Sequence, residues 1–183
     1  MGVNFNDIKN ELRKIMTPDT VFVCIGTNRC KFDIFGPLCG NLLREKNIPY
    51  YGDCDRNVNG VTMNHRLHEI YKIDKIDNKN IIAIDAAVTN DDDKLNKVMI
   101  NHERGVKPGA GVGRLFPEVG EKAIMMFTLH KRDVNTVMNQ YRQSNYIGNK
   151  YDLCNYDLIE EYATKLVDAI EEVYNEVNCV VEI

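Results

Sequence analysis

The chain has 183 residues, of which 44% are hydrophobic, so residues 1–183 can form a single domain around their own core. A net charge of −4 argues against the basic face that a nucleic-acid partner would require. The sequence also lacks a secretory start and any apolar stretch of membrane-spanning length, so we expect a cytoplasmic protein with no membrane partner.

Short apolar runs and amphipathic segments alternate in the first half of the chain. Wholly apolar runs are typical of buried parallel strands, and apolar residues spaced three and four apart indicate helices. The expected elements are a helix over Asn4–Met16, a strand over Thr20–Ile25, a helix from Gly36 to Lys46, a strand over Ile48–Tyr51 and a helix over Met63–Tyr71.

The second half continues this alternation and adds a strand that a turn would make antiparallel. Its expected elements are strands over Asn80–Val88, Lys97–His102 and Ala123–Leu129, a glycine-rich loop over Gly105–Gly120, and helices over Asp133–Arg142 and Tyr156–Glu176. Strands that alternate with helices predict an α/β fold in which helices cover both faces of a mostly parallel central sheet.

Two aspartates follow two of the expected parallel strands. Asp33 lies in the loop after the first strand, and Asp85 directly follows the apolar run Ile81–Ile84. Ligand crevices of α/β sheets form at the carboxyl ends of the strands, where two such carboxyl groups would meet, share a proton and activate water. The alternative is structural: Asp33 caps the helix that opens at Gly36, and Asp85 accepts loop N–H groups.

Glycines flank this expected crevice in two loops. Gly26 begins the first loop, with Thr27 and Asn28 next to it, and Gly109 and Gly111 lie in the second. Glycine lets a backbone come close to a ligand, so we expect the N–H groups of either loop to bind the substrate. The second loop resembles a dinucleotide fingerprint only in part, because no helix clearly follows it, and we expect no cofactor.

The histidines carry no strong metal signature. His65 and His68 share a helix face near Glu69, which leaves a divalent-metal site open, while His102 and His130 lie at the ends of expected strands. Solvated side chains are the simpler interpretation of His65 and His68, so we expect no bound metal.

Six cysteines are present and none forms a C-x-x-C pair, so we expect reduced and mostly buried thiols. Cys30 lies in the loop before Asp33 and is the one candidate for a thiol nucleophile.

Four blocks of the sequence resemble, in order, those of a sporulation protein family of spore-forming bacteria. The blocks are VFVCIGTNRCKFDIFGPLCG, YYGD, NIIAIDAAV and KPGAGVGRLFPEVGEKAI, and the resemblance covers roughly Val21 to Leu129. That family is similar to the germination protease that degrades small acid-soluble spore proteins, and more distantly to the hydrogenase maturation endopeptidases.

The resemblance implies a three-layer αβα sandwich of the phosphorylase/hydrolase-like type. In the germination protease the catalytic candidates are an Asp before G-P-L and an Asp in the I-D-A strand, and these positions are Asp33 and Asp85 here. A protein or peptide substrate is implied as well, with a place in the cytoplasm or the developing spore. Folds of this type often form homo-oligomers, although no residue pattern specifies one here.

Two functions therefore stay open. The first is a sporulation or germination peptidase that hydrolyses a peptide bond with a paired-aspartate site formed by Asp33 and Asp85. The second is a non-enzymatic module on a protease-like scaffold, in which the same crevice binds a peptide or protein during spore formation.

Overall fold

The computed structural model describes residues 7–60, 62, 79–109, 116–143 and 154–179. A five-stranded sheet runs through its centre in the order β2-β1-β3-β5-β4. Its strands are β1 (Thr20–Cys24), β2 (Tyr50–Tyr51), β3 (Asn80–Thr89), β4 (Val98–Asn101) and β5 (Lys122–His130). β1 pairs in parallel with β2 and β3, β3 pairs in parallel with β5, and β4 runs antiparallel to β5 as predicted.

The described helices pack against this sheet. They are α1 (Ile8–Ile15), α2 (Phe35–Glu45), α3 (Val134–Gln143) and α4 (Tyr156–Cys179). Buried side chains from all four join one hydrophobic core with a sheet face formed by Phe22, Cys24, Ile82 and Ile84. The predicted α/β class is confirmed, because a mostly parallel central sheet is flanked by helices, consistent with a three-layer sandwich.

A second, smaller apolar cluster lies on the opposite face of the sheet, because side chains alternate between the two faces along a strand. This cluster consists of Val23, Ile25, Val58, Ile81, Ala83, Val106, Val119 and Ala123. Loop residues therefore help to cover this face. The helix predicted over Met63–Tyr71 lies outside the described residues.

Two elements differ from the sequence prediction in ways that have a physical cause. β2 begins at Tyr50 rather than Ile48, because the intervening Pro49 has no N–H group to donate to a neighbouring strand. Helical spacing places Leu158 on the apolar stripe of α4, but the buried stripe includes Ile159 and Ala163, and Leu158 is only half-buried. α4 packs closely against α2, and a small residue on the facing side permits that approach.

The strand order reverses between β1 and β3. From β1 the chain places β2 on one side, and it later places β3 on the other side. In open α/β sheets such a reversal creates a ligand crevice at the carboxyl ends of the two strands. Of the two aspartates highlighted by the sequence, Asp85 lies in β3 and Asp33 lies in the loop that follows β1, so both belong to the segments that flank this crevice. In the described part of the chain, no helix has both the length and the apolarity needed to cross a membrane.

Candidate active site

Asp85 lies inside β3, at the level where the neighbouring strand β1 ends. β1 pairs with β3 as far as Cys24 and Ile84, and the Ile25 N–H group then donates to the Ile84 carbonyl at 2.7 Å. β3 itself continues to Thr89 because β5 still pairs with it. Asp85 is therefore within its strand rather than at the strand's carboxyl end, and it is the first β3 residue without a β1 partner.

The loop after β1 turns back over the end of that strand. Gly26 has a φ of +137°, and a Cβ atom there would lie only 2.1 Å from the backbone oxygen of Asp33. Both the dihedral angle and the close approach therefore require glycine at this position. A 3₁₀ turn over Lys31–Asp33 closes the loop and packs against β3 and β5.

The turn that carries Asp33 is fixed to the sheet by a buried hydrogen bond. Thr128 of β5 donates from Oγ1 to the Phe32 carbonyl at 2.6 Å, and the Phe32 side chain enters the main core. α2 begins two residues after Asp33, with Ile34 before its first turn and no side-chain cap. Asp33 therefore does not have the helix-capping role that was its structural alternative.

Burial raises the pKa of both carboxyl groups. The pKa of Asp33 rises from 3.8 to about 7, and the N–H group of Thr27 opposes that rise. Asp85 is 8% exposed, and burial raises its pKa well above 3.8, with the negative charge of Asp33 as the second cause. Two such neighbours do not readily ionise together, so near neutral pH the pair keeps a proton.

The comparison with known proteins places this chain in a family. Residues 3–147 match the family described as a protein of unknown function, DUF1256. The chain belongs to the DUF1256 family. It is also similar to the uncharacterized protein YyaC of Bacillus subtilis (strain 168), with 32% identity over 145 residues, which cover 72% of this chain and 69% of that relative. The DUF1256 match includes Asp33 and Asp85, together with every strand of the sheet.

The backbone N–H groups of the first predicted substrate loop have partners inside this DUF1256 protein. Gly26 donates to the Val58 carbonyl at 2.8 Å and Thr27 donates to the Asp33 carbonyl at 2.9 Å. Asn28 donates to Oδ1 of Asn57 at 3.3 Å. Substrate binding by Gly26, Thr27 and Asn28 stays a prediction, and it would have to use atoms of this loop other than those hydrogens.

The second predicted substrate loop is described only in part. Gly109 has a φ of +75°, a conformation that glycine adopts readily, while Gly111 lies outside the described residues. An isolated bridge between Val106 and Val119 joins the two ends of this loop. The loop therefore starts and finishes on the sheet face opposite the four described helices.

Two of the four histidines lie in the described part of the chain, and both pair with acids. His102 Nε2 is 2.8 Å from Glu11, and the buried His130 Nε2 is 2.7 Å from Asp92. His65 and His68 lie outside the described residues. Within the described ranges, no three His, Cys, Asp or Glu side chains are grouped closely enough to hold a metal ion.

Cys30 is poorly suited to nucleophilic chemistry at neutral pH. Burial raises the pKa of its thiol to about 11, the charge of Asp33 adds to that rise, and Arg29 opposes it. The reactive thiolate is therefore scarce near pH 7. All six cysteines are free thiols, as expected, although only Cys24, Cys39 and Cys154 are fully buried.

Asp53 is a buried acid that the sequence analysis did not single out. It follows β2 and is 2% exposed, and its carboxylate accepts from Tyr50 Oη at 2.9 Å and from Arg44 at 3.2 Å. It also accepts from the backbone N–H groups of Asp55 at 2.9 Å and Arg56 at 2.7 Å. Although burial favours the neutral acid, these donors together hold the pKa of Asp53 below its usual value. The sequence signal that could have drawn attention to Asp53 is its position shortly after β2, the strand next to β1.

Proposed function

We propose that this DUF1256 protein is a peptidase-like hydrolase of sporulation or germination, in which Asp33 and Asp85 act together on a peptide bond of a protein substrate. The observation that carries the proposal is that the Asp33 turn packs against β3, so that the half-buried Asp33 acts on the buried Asp85 where the strand order reverses. The resemblance of the surrounding sequence blocks to the germination protease supports the same chemistry.

The two acids differ in a way that assigns their roles. Asp85 is the more deeply buried acid and carries the charge effect of its neighbour, so it keeps its proton at neutral pH. Asp33 loses its proton near pH 7 and is the general base. General bases are most effective when their pKa lies near the working pH.

In the first step, the Asp33 carboxylate takes one proton from water while the water oxygen bonds to the peptide carbonyl carbon. Asp85 gives its proton to the carbonyl oxygen, which forms a neutral tetrahedral diol. In the second step, Asp33 returns its proton to the leaving nitrogen and the C–N bond breaks. One diol hydroxyl gives its proton back to Asp85, so both acids regain their starting states.

The alternative is a non-enzymatic module that binds a peptide in the same crevice. Binding alone gives no reason to bury two acids so that one keeps a proton at neutral pH, because that arrangement opposes the ionisation of both groups. Perturbed acids in a crevice are more common at catalytic sites, which favours the hydrolase.

The test is incubation of the purified chain with small acid-soluble spore proteins at pH 7.5, followed by mass spectrometry of the products. Defined cleavage is expected from the wild type and none from the double variant Asp33→Asn/Asp85→Asn. Asp55→Asn is the matched control, because it removes an exposed carboxylate near the same edge of the sheet. Binding of the substrates without cleavage by the wild type would support the non-enzymatic module instead.

A further inference from the structure

Asp53 lies outside the acid pair, yet its hydrogen bonds shape the adjoining loop. Its Oδ1 atom accepts two successive backbone N–H groups, those of Asp55 and Arg56, and its own N–H group donates to the Arg56 carbonyl at 3.2 Å. These bonds close a tight turn over residues 53–56. Because the carboxylate is buried and charged, its hydrogen bonds are stronger than those of a neutral acceptor.

The turn positions an asparagine that links two loops. Asn57 donates from Nδ2 to the Asp53 carbonyl at 2.7 Å and to the Cys54 carbonyl at 3.0 Å. Its remaining amide atom, Oδ1, accepts the Asn28 N–H group, and the Asn28 side chain donates back to the Cys54 carbonyl at 2.9 Å. The loop after β1 is thus attached to the loop after β2 by bonds in both directions.

The next residue of the 53–58 loop, Val58, also binds the loop after β1, one residue before the bond to Asp33. Val58 accepts the Gly26 N–H group at 2.8 Å, and it forms a parallel bridge with Ile25. Thr27 lies between Gly26 and Asn28, which are both bound to the 53–58 loop, and its N–H group donates to the backbone carbonyl of Asp33 at 2.9 Å. Residues 53–58 therefore hold the segment that is bonded to the Asp33 turn, and the same N–H group opposes the rise in the pKa of Asp33.

We propose that Asp53 is a positioning residue, which holds segment 26–28 against the turn that carries Asp33 through the 53–58 loop. Its catalytic consequence rests on the function proposed above. Asp53 itself touches neither the substrate nor the reacting atoms.

Several charged or titratable groups face these two acids from the surrounding elements. The groups that face Asp53 are Arg44 of α2, Tyr50 of β2, Cys24 of β1, and Cys54 and Asp55 of its own loop. The groups that face Asp33 are Asp85 of β3 and Cys30 of its own loop. Loss of the Asp53 charge alone would lower the pKa of Asp33, because it removes a negative charge from the vicinity. Loss of the Thr27 N–H group would raise that pKa. A direct charge effect of Asp53 and a displacement of the Thr27 N–H group therefore predict shifts of the Asp33 pKa in opposite directions.

The experiment is a pH titration of the Asp33 carboxyl group by NMR on substrate-free protein labelled at aspartate carboxyl carbons. The Asp33 signal is assigned by its absence in Asp33→Asn. Asp53→Asn and Asn57→Ala are each expected to raise the pKa of Asp33 by about half a unit or more. Because both act through one loop, the double variant is expected to shift no further than the larger single change.

Asp55→Asn is the matched control, since it also removes a carboxylate that pairs with Arg44, at 2.9 Å, but its side chain is 73% exposed and holds no loop donor. It is expected to leave the titration of Asp33 unchanged. Asn57→Ala keeps the test decisive if Asp53→Asn does not fold, because it breaks the same link without removing a buried charge.

Three results would overturn the positioning role: a downward shift in Asp53→Asn, no shift in either variant, or additive shifts in the double variant. A wild-type Asp33 that titrates near 3.8 would instead overturn the proposed general base, whatever the variants do. The two failures are therefore separable without any measurement of cleavage.

Discussion

Asp85 is the first residue of β3 that β1 leaves unpaired, and the charge of Asp33 helps to raise its pKa. This relationship arises because β3 is longer than β1. A chain that leaves the shorter strand must cross its end, and it does so with a turn that packs against β3. The acid pair is thus a consequence of unequal strand lengths on either side of the sheet crevice.

Asp33→Asn and Asp85→Asn are each expected to reduce peptide cleavage by at least about 100-fold, because each removes a proton donor or acceptor from the reaction. Both variants should retain the far-UV circular dichroism of the wild type, since neither carboxylate is a helix cap or pairs with a cation of the described residues. Initial rates on spore proteins provide the measurement. Full activity in either variant would contradict the paired-acid mechanism.

The cleavage rate is expected to depend on pH through the same two groups. Below pH 7 Asp33 is protonated and cannot act as a base, so kcat/KM should rise as the pH increases through about 7. The raised pKa of Asp85 suits that group to the role of proton donor. A profile of kcat/KM from pH 5 to 9 checks the rise, and a rate that is greatest near pH 4 would argue against this assignment.

Asp33→Asn is expected to make the protein more stable at pH 8. The folded pKa of Asp33 is about 7 against an ordinary value of 3.8, so the unfolded chain loses this proton first as the pH rises. Stability therefore falls between about pH 4 and pH 7, by about 1.4 kcal/mol for each unit of pKa difference, and the neutral Asn avoids that loss. Urea unfolding at pH 4 and pH 8 should show a gain of roughly 1–4 kcal/mol at the higher pH alone. Equal stability of the two proteins at pH 8 would mean that Asp33 is not buried as described.

Gly26→Ala is expected to destabilise the fold by roughly 2–4 kcal/mol, because the new Cβ atom would clash with the Asp33 backbone oxygen and the φ of +137° is unfavourable for alanine. Gly60→Ala is the comparison variant, since among the described residues its Cβ would meet only the Phe116 ring, at 3.2 Å. Thermal unfolding of both variants measures the difference. Similar melting temperatures for the two variants would show that the loop after β1 adapts easily.

Cys30→Ser is expected to retain most of the wild-type activity, and iodoacetamide should react slowly with Cys30 at pH 7. Burial and the charge of Asp33 raise the pKa of this thiol to about 11, so its nucleophilic form is rare. Peptide mapping after alkylation, with the exposed Cys179 as an internal reference, provides the measurement. A complete loss of cleavage in Cys30→Ser would favour thiol chemistry over the acid pair.

The sequence predicted the strands of this fold better than the packing of its helices. β3 and β5 were predictable because a continuous apolar run is typical of a strand that is buried on both faces of a sheet. In α4, apolar residues stand side by side at Leu158 and Ile159, and the spacing rule fits either of them. Which one is buried depends on the distance to α2, and that distance is set by three-dimensional packing rather than by helical periodicity.

The site was predictable to the same limited extent. Asp33 and Asp85 stand out because each follows an apolar run, and the strand order that unites them follows from the alternation of strands and helices. Asp53 also follows an expected strand, but the sequence does not show its donors, which come from a helix, a strand and its own loop. A carboxylate that collects hydrogen bonds from scattered positions is visible only once the chain has folded.

The bond from Thr128 to the Phe32 carbonyl makes assembly of the acid pair a late event in the life of the chain. Its two ends are separated by 96 residues, so a nascent chain that has not yet delivered β5 lacks one anchor of the turn. Until then both carboxyl groups are exposed to water and ionise as ordinary acids. A protein built in this way brings its two acids together only after β5 has been delivered, and unfinished copies lack the pair.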